Sequence, residues 1–524
     1  MASFENGFIV YSLLIDRFAR TSREGAGQDT EVSQDFRMGD FLGGCIAGVS
    51  NRIRQGWFDA LGINVIMLSP IFEQIHGWVP SAGKRFKHYA YHGYYTLDYT
   101  VIDNRFGNEG DLHDLVRCAH DSGMQVWLDV VFNHPGYPDP QTWHDLGLDG
   151  WRHGWEGATP NGFHSYMNRE SASRGGWWGP DWVRYDLPGY MPGGQDDFTM
   201  LLHELPDFKT ESSDYVNLPH FLKCKANTKA IDLPNTTVRG YLIGWLTDWV
   251  RQFGIDGFRC DSAKHVEPES WLELKRHAAQ AKREWWERQP DKSGLSADFL
   301  MLGEVYGHGV EASHYWEFGF DGLINFKFQE ALREGAAIDA IYEDYAAFLQ
   351  EHPRKHILSY ISSHDTFLFD RQRLKDAGTA LMLAPGSALI FYGDETARSP
   401  WPLVEEDPAQ STRSPMNWMS IDMDNLAHWR KLASFRAKHG AIAHGVHLKL
   451  HETPYVFARL NAHGDRIIAV LQVDGEVSVP VGGIFAQGTR VRDAYSGWAG
   501  VVADDCVRLC AQGVVLLESL DAMV

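Results

Sequence analysis

Eight short apolar runs, each followed by a longer stretch, most restrict how this chain can fold. They are Phe8 to Leu14, Val65 to Ser69, Gln125 to Val131, Gly257 to Cys260, Leu300 to Glu304, Gly322 to Phe326, Leu358 to Ile361 and Ala388 to Tyr392. Strand-sized runs alternating with helical patterns are the rhythm of βα units and a parallel sheet. Eight of them predict an α/β chain folded as a closed (β/α)8 barrel. The helical stretches carry their own punctuation: Asn108 to Ser122 has Asn108 as cap and Gly123 as stop, and Thr237 to Gly254 runs through Leu242, Trp245, Leu246, Trp249 and Val250.

The rhythm breaks twice. Between His134 and about Thr237 lie roughly a hundred residues rich in Gly, Pro and Trp with no helical period, far beyond an ordinary connection. After about Gly440 the texture becomes short alternating runs such as HLKLHE, YVFARL, DRIIAVLQV and GVVLLE. The predicted organisation is a barrel from 1–133 and 237–440, an inserted irregular lobe at 134–236, and a C-terminal antiparallel β-sandwich at 441–524.

In such a barrel the functional site forms where strands end at their C-terminal side. Four runs end in charged or polar clusters: DVVFNH (Asp129 to His134), GFRCDSAKH (Gly257 to His265), LGEVYG (Leu302 to Gly307) and SSHDT (Ser362 to Thr366). A single acidic residue at a strand end is ordinarily a cap or a solvated loop residue; four clusters facing one mouth predict a site. Arg259 and Asp261 are two apart, so an extended strand points both the same way and the guanidinium keeps the carboxylate ionised. Glu304 follows Phe299, Leu300, Met301 and Leu302, apolar surroundings that favour a protonated carboxyl suited to general acid work. Asp365 adds a third carboxylate. A nucleophile and an acid about 5 Å apart are what a retaining glycosidase needs.

The net charge of −21 disfavours nucleic acid as a partner, since phosphate binding calls for clustered Lys and Arg. No run is long and apolar enough for a membrane span, and the start MASFENGFIVYSLL lacks the basic character of a signal peptide. Six cysteines (Cys45, Cys118, Cys224, Cys260, Cys506 and Cys510) form no CxxC pair, and Cys506 and Cys510 would sit about 13 Å apart on one strand. Reduced thiols and a cytoplasmic location are expected, with the periplasm or secretion as the reading if a leader was removed. The Trp and Tyr of the inserted stretch (Trp143, Trp151, Trp155, Trp177, Trp178, Trp182 and Tyr185) are expected to pack against the barrel, with lining of outer sugar sites as the alternative.

These strand-end runs, in order and spacing, resemble the signature regions of the α-amylase family, glycoside hydrolase family 13, and LPDFKTES (Leu205 to Ser212) resembles its lobe segment. Further stretches, EQIHGWV (Glu73 to Val79), HYAYHGYYTLDYT (His88 to Thr100) and APGSALIFYGDE (Ala384 to Glu395), are similar to the MalS-type α-amylases. The resemblance implies Asp261 as nucleophile, Glu304 as acid/base and Asp365 as the carboxylate that stabilises the transition state. It implies Arg259 orienting Asp261, His134 and His364 bonding sugar hydroxyls, Tyr94 stacking on the sugar, and Lys264 with His265 contacting glucose units on the leaving-group side. It also implies a structural Ca²⁺ held by Asn133, Asp207 and the main-chain carbonyl of His265, hard oxygen donors that suit that ion. The substrate so implied is an α-1,4-linked glucan, with a 4-α-glucanotransferase or exo-acting maltodextrin glucosidase as the alternative on the same residues, and a non-catalytic glucan-binding barrel as a remoter one. Cys260 and Ser262 depart from the commoner Val and Ala beside the nucleophile, and Ser363 from a common Asn.

Overall fold

A computed structural model describes residues 7–21, 38–171 and 176–521; the acidic start, Met1 to Asn6, lies outside the described residues. The eight apolar runs form eight strands: β1 (Ile9–Leu13), β2 (Val65–Leu68), β3 (Gln125–Val130), β4 (Gly257–Cys260), β5 (Leu300–Gly303), β6 (Gly322–Asn325), β7 (His356–Tyr360) and β8 (Ser387–Phe391). They close in the order β1-β8-β7-β6-β5-β4-β3-β2, every pairing parallel, so each strand lies between its neighbours in the chain. Nearly all their residues are buried, because helices cover the outer face and packed side chains fill the inner one. β7 begins two residues before the apolar run because the polar His356 belongs to it, its ring 4.9 Å from that of Phe8.

The helical signals act as read. In α1 (Glu109–Asp121) the Asn108 side chain accepts from Asp111 N–H at 3.2 Å while the Asp111 carboxylate accepts from Asn108 N–H at 3.0 Å, a reciprocal cap. α2 (Val238–Phe253) starts where the Thr237 hydroxyl accepts from Gly240 N–H at 3.1 Å and stops at Gly254, whose φ of +79° only glycine adopts freely.

The long stretch after β3 forms a lobe of short pieces, including the helix Pro140–Asp145 and a two-residue ribbon pairing Val183–Arg184 with Asp207–Phe208. Its core is aromatic: Trp143, Trp177, Trp178 and Trp182 are buried, and Trp182 stacks on Trp245 of α2 at 5.8 Å and 7°. Trp182 thus packs against the barrel, while Trp143 meets Trp177, and Trp178 meets Trp182, Phe208 and Phe221, within the lobe. Tyr185 differs, lining the cleft described below.

After residue 445 come β9 (Val446–His451), β10 (Tyr455–Leu460), β11 (Arg466–Pro480), β12 (Arg490–Asp493), β13 (Ala499–Val501) and β14 (Cys506–Ser519), joined antiparallel in the order β9-β10-β11-β14-β12-β13. They enclose an apolar core of their own that includes Val456, Val470, Val491, Val507 and Val515. Phe457 meets Tyr342 of the barrel at 5.4 Å. All six cysteines are free thiols, and among the described residues no helix is long and apolar enough to cross a membrane.

Candidate active site

Strand register brings the acidic residues together. β4 and β5 pair Cys260 with Gly303, so the next residues, Asp261 and Glu304, leave the barrel side by side at its C-terminal mouth. The ladder continues one residue further, with Asp261 N–H donating to Val130 O and Glu304 N–H to Cys260 O, both at 3.0 Å. Ser262 then ties the two carboxylates: its N–H donates to Glu304 Oε2 and its hydroxyl to Asp261 Oδ2, each at 2.8 Å.

Beneath them lies Arg259, almost fully buried. Its Nη1 donates to both oxygens of Asp129 at 2.9 Å and to Asp261 Oδ1 at 2.6 Å, while Nη2 lies 3.8 Å from Glu304 and 3.9 Å from Asp365. One guanidinium therefore serves four carboxylates, a use that its planar fork permits and an ammonium would not. Asp129 opens the DVVFNH run, but it sits inside β3 rather than past its end, so the strand-end position gives it no role. The available signal was a charge embedded in the apolar run QVWLDVV, opposite Arg259 in the register of β3 and β4. Arg413, outside the strand-end runs, donates to the His364 carbonyl at 3.1 Å and to Asp365 Oδ1 at 3.5 Å from a loop after the last barrel strand.

These surroundings separate the acids. Burial opposes ionisation of Asp261, but Arg259, His134 and the Ser262 hydroxyl outweigh it and hold its carboxyl below the usual carboxylate range. Glu304 is pushed up to about 8, by burial first and then by the Asp261 and Asp365 charges. Two adjacent carboxyls, one ionised and one protonated near neutrality, form the pairing that acid-assisted nucleophilic displacement requires. Burial also depresses His134 and His364 to about 4, leaving both rings neutral.

The carboxylates open into a cleft of about 1290 Å³ between barrel and lobe, whose lining includes Tyr94, His134, Asp261, Lys264, His265, Glu304, Asp365 and Arg413. Tyr94 donates its hydroxyl to Asp129 at 2.6 Å, and its ring stacks on His364 at 5.2 Å and 14°. One face of that ring is thereby covered. His364 stands behind Tyr94 rather than on the cleft wall, with Nε2 3.1 Å from Asp365 Oδ2.

The residues expected around a metal also converge. Asn133 Nδ2 donates to Asp207 Oδ1 and to the His265 carbonyl, both at 3.0 Å, where barrel and lobe meet. Asp207 is pushed up to about 8 by burial, which the ion pair of its other oxygen with Arg184 at 2.8 Å only partly offsets. Turning the Asn133 amide over would aim three oxygens at one point, a donor set that a hard cation fits and that would restore the charge of Asp207. Among the described residues no group of three His, Cys, Asp or Glu side chains is arranged for a metal, so the set depends on the amide and the carbonyl.

An eight-stranded parallel barrel with a lobe after its third strand and an acid–carboxylate pair at its C-terminal mouth defines a barrel glycoside hydrolase. The sequence model described as the alpha amylase catalytic domain matches residues 12–148 and 218–438. The chain is 41% identical to the periplasmic alpha-amylase of Escherichia coli (strain K12) over 493 residues, 88% of this chain and 71% of that protein. It is 26% identical to the maltogenic alpha-amylase of Bacillus acidopullulyticus, covering 83% of this chain and 63% of that one. In fold it is similar to an alpha-amylase from Geobacillus thermoleovorans solved with acarbose, with a TM-score of 0.68 at 20% identity over 99% of both chains. The chain belongs to the α-amylase family and is a glycoside hydrolase.

Proposed function

We propose that this protein hydrolyses α-1,4-glucosidic bonds of maltooligosaccharides and starch with retention, through a β-glycosyl-enzyme on Asp261. The observation that carries this reading is the opposite bias of two neighbours: Asp261 is held ionised by Arg259, and Glu304 is held protonated by burial. An Asp261 oxygen attacks the anomeric carbon while Glu304 protonates the departing glycosidic oxygen; water activated by Glu304 then releases the sugar. Asp365, Tyr94 and His134 bind and orient the glucose unit at the cleaved bond, and His364, from behind Tyr94, holds Asp365 toward the same sugar. Lys264 and His265 hold the leaving-group side. Arg259 positions Asp261, and Asp129 and Arg413 extend its network. The unit that acts is the barrel of 1–133 and 237–440 with the lobe of 134–236, and 441–524 packs on it.

We further propose that Asn133, Asp207 and the His265 carbonyl hold a Ca²⁺ ion that fastens the lobe to the barrel. The convergence of the three groups and the charge strain at Asp207 support that set. The unpaired thiols favour a cytoplasmic location, against which the periplasmic name of the Escherichia coli relative weighs; cell fractionation decides between them.

Replacing Asp261 by Asn should abolish turnover of maltotetraose while circular dichroism stays unchanged; retained turnover overturns the assignment. Products separate hydrolysis from glucanotransfer, since oligomers longer than the substrate mean that a sugar rather than water accepts the glycosyl group.

A further inference from the structure

Ser262 stands where the chain departs from the commoner alanine, and it touches both members of the reactive pair. Its backbone is in the left-handed region, at φ +51°, which aims the N–H at Glu304 Oε2 while the hydroxyl reaches Asp261 Oδ2. The two contacts differ in chemistry. The N–H is retained by any residue except proline, whereas the hydroxyl belongs to serine.

We propose that the Ser262 hydroxyl is a positioning group that sets the balance between formation and breakdown of the glycosyl-enzyme, by stabilising the Asp261 carboxylate over its ester; this rests on the roles proposed above for Asp261 and Glu304. In the first step a carboxylate oxygen of Asp261 bonds to the anomeric carbon, the glycosidic C–O bond breaks, and the departing oxygen takes the Glu304 proton. In the second, water adds to that carbon and gives a proton to Glu304, and the bond to Asp261 breaks with its electron pair returning to the carboxylate. The first step consumes the carboxylate charge and the second regenerates it. A donor that prefers the charged form therefore slows the first and speeds the second.

Asp261 has two oxygens, and they are held differently. Oδ1 is fixed by Arg259, whose same Nη1 is bonded to both oxygens of Asp129 and cannot follow a moving charge. Oδ2 is held by a hydroxyl that turns about one bond, so its donor can leave as the charge is consumed and return as it reappears. The other groups that interact with Asp261 include His134 and Asp129 from β3 and its end, Tyr94 and Tyr99 from the segment after β2, His265 from the turn after β4, Glu304 from β5 and His364 from the loop after β7. None of them is altered by removing the hydroxyl.

The test uses Ser262→Ala and Ser262→Gly on the full chain with α-maltotriosyl fluoride, whose leaving group needs little acid assistance, so that breakdown of the intermediate limits turnover. Both variants should lose about tenfold in kcat, the lower range for a hydrogen bond to a charged group. KM should fall at least in step, so that kcat/KM holds at or rises above the parental value, and the quenched enzyme should carry the added sugar mass. The proposal is overturned if kcat is unchanged, if kcat/KM falls with kcat, or if glycine restores parental kinetics, since only the strained backbone separates glycine from alanine. Asp261→Asn with the same fluoride separates the layers: turnover there overturns the underlying reading, whereas an inactive D261N beside parental S262A kinetics overturns the hydroxyl role alone.

Discussion

Glutamine in place of Glu304 should stabilise the protein, and increasingly so as the pH rises. The folded carboxyl is pushed up to about 8, by burial and then by the Asp261 and Asp365 charges, whereas an unfolded glutamate titrates near 4.3. Between those values the folded state holds a proton that the unfolded chain lacks. Stability contributed by this group is complete below the unfolded value and is lost as pH rises toward the folded one. The slope is about 1.4 kcal/mol per pH unit, so from pH 5.5 to 7.5 the parent should lose about 2–3 kcal/mol through Glu304. The amide of Glu304→Gln keeps the shape and an acceptor for the Ser262 N–H, and has no proton to lose. Urea unfolding of both proteins at pH 5.5, 6.5 and 7.5 measures the gap, which should widen by that amount. Parallel stability curves would refute the idea that Glu304 is protonated because its surroundings reject its charge.

Activity should follow the same separation of acids. The alkaline limb of kcat/KM against pH on maltotetraose should fall near pH 8, where Glu304 loses its proton, and the acid limb should lie below the usual carboxylate range, where Asp261 gains one. A limb near pH 6 that Glu304→Gln leaves in place would contradict this. For the proposed Ca²⁺ set, chelator should lower the melting temperature and added Ca²⁺ should restore it, while Asp207→Asn should be insensitive to both. A melting temperature that chelator does not move removes the metal from the account.

Legibility followed distance along the chain. All eight barrel strands were readable because each is a short apolar run with both faces buried, and the caps of α1 and α2 were readable because capping joins residues three apart. The charged strand ends were readable for the same local reason. Asp129 escaped that criterion by lying within its strand, and Arg413 because it reaches Asp365 from 48 residues away. The lobe appeared only as a loss of rhythm, since its core is made of rings that meet across the chain, such as Trp178 with Phe221 at 5.3 Å.

The sequence by itself determined the barrel, the lobe's place after the third strand, and which charged residues stand at the strand ends, because apolar period and strand length are properties of contiguous residues. Only the tertiary structure decided how those residues divide the work available to them. Closure of the sheet sets Asp129, Asp261, Glu304 and Asp365 around one buried guanidinium. In that low-dielectric mouth the same carboxyl chemistry splits into a charged group and a protonated one, and no stretch of sequence encodes that difference, because the charges producing it come from four separate strands.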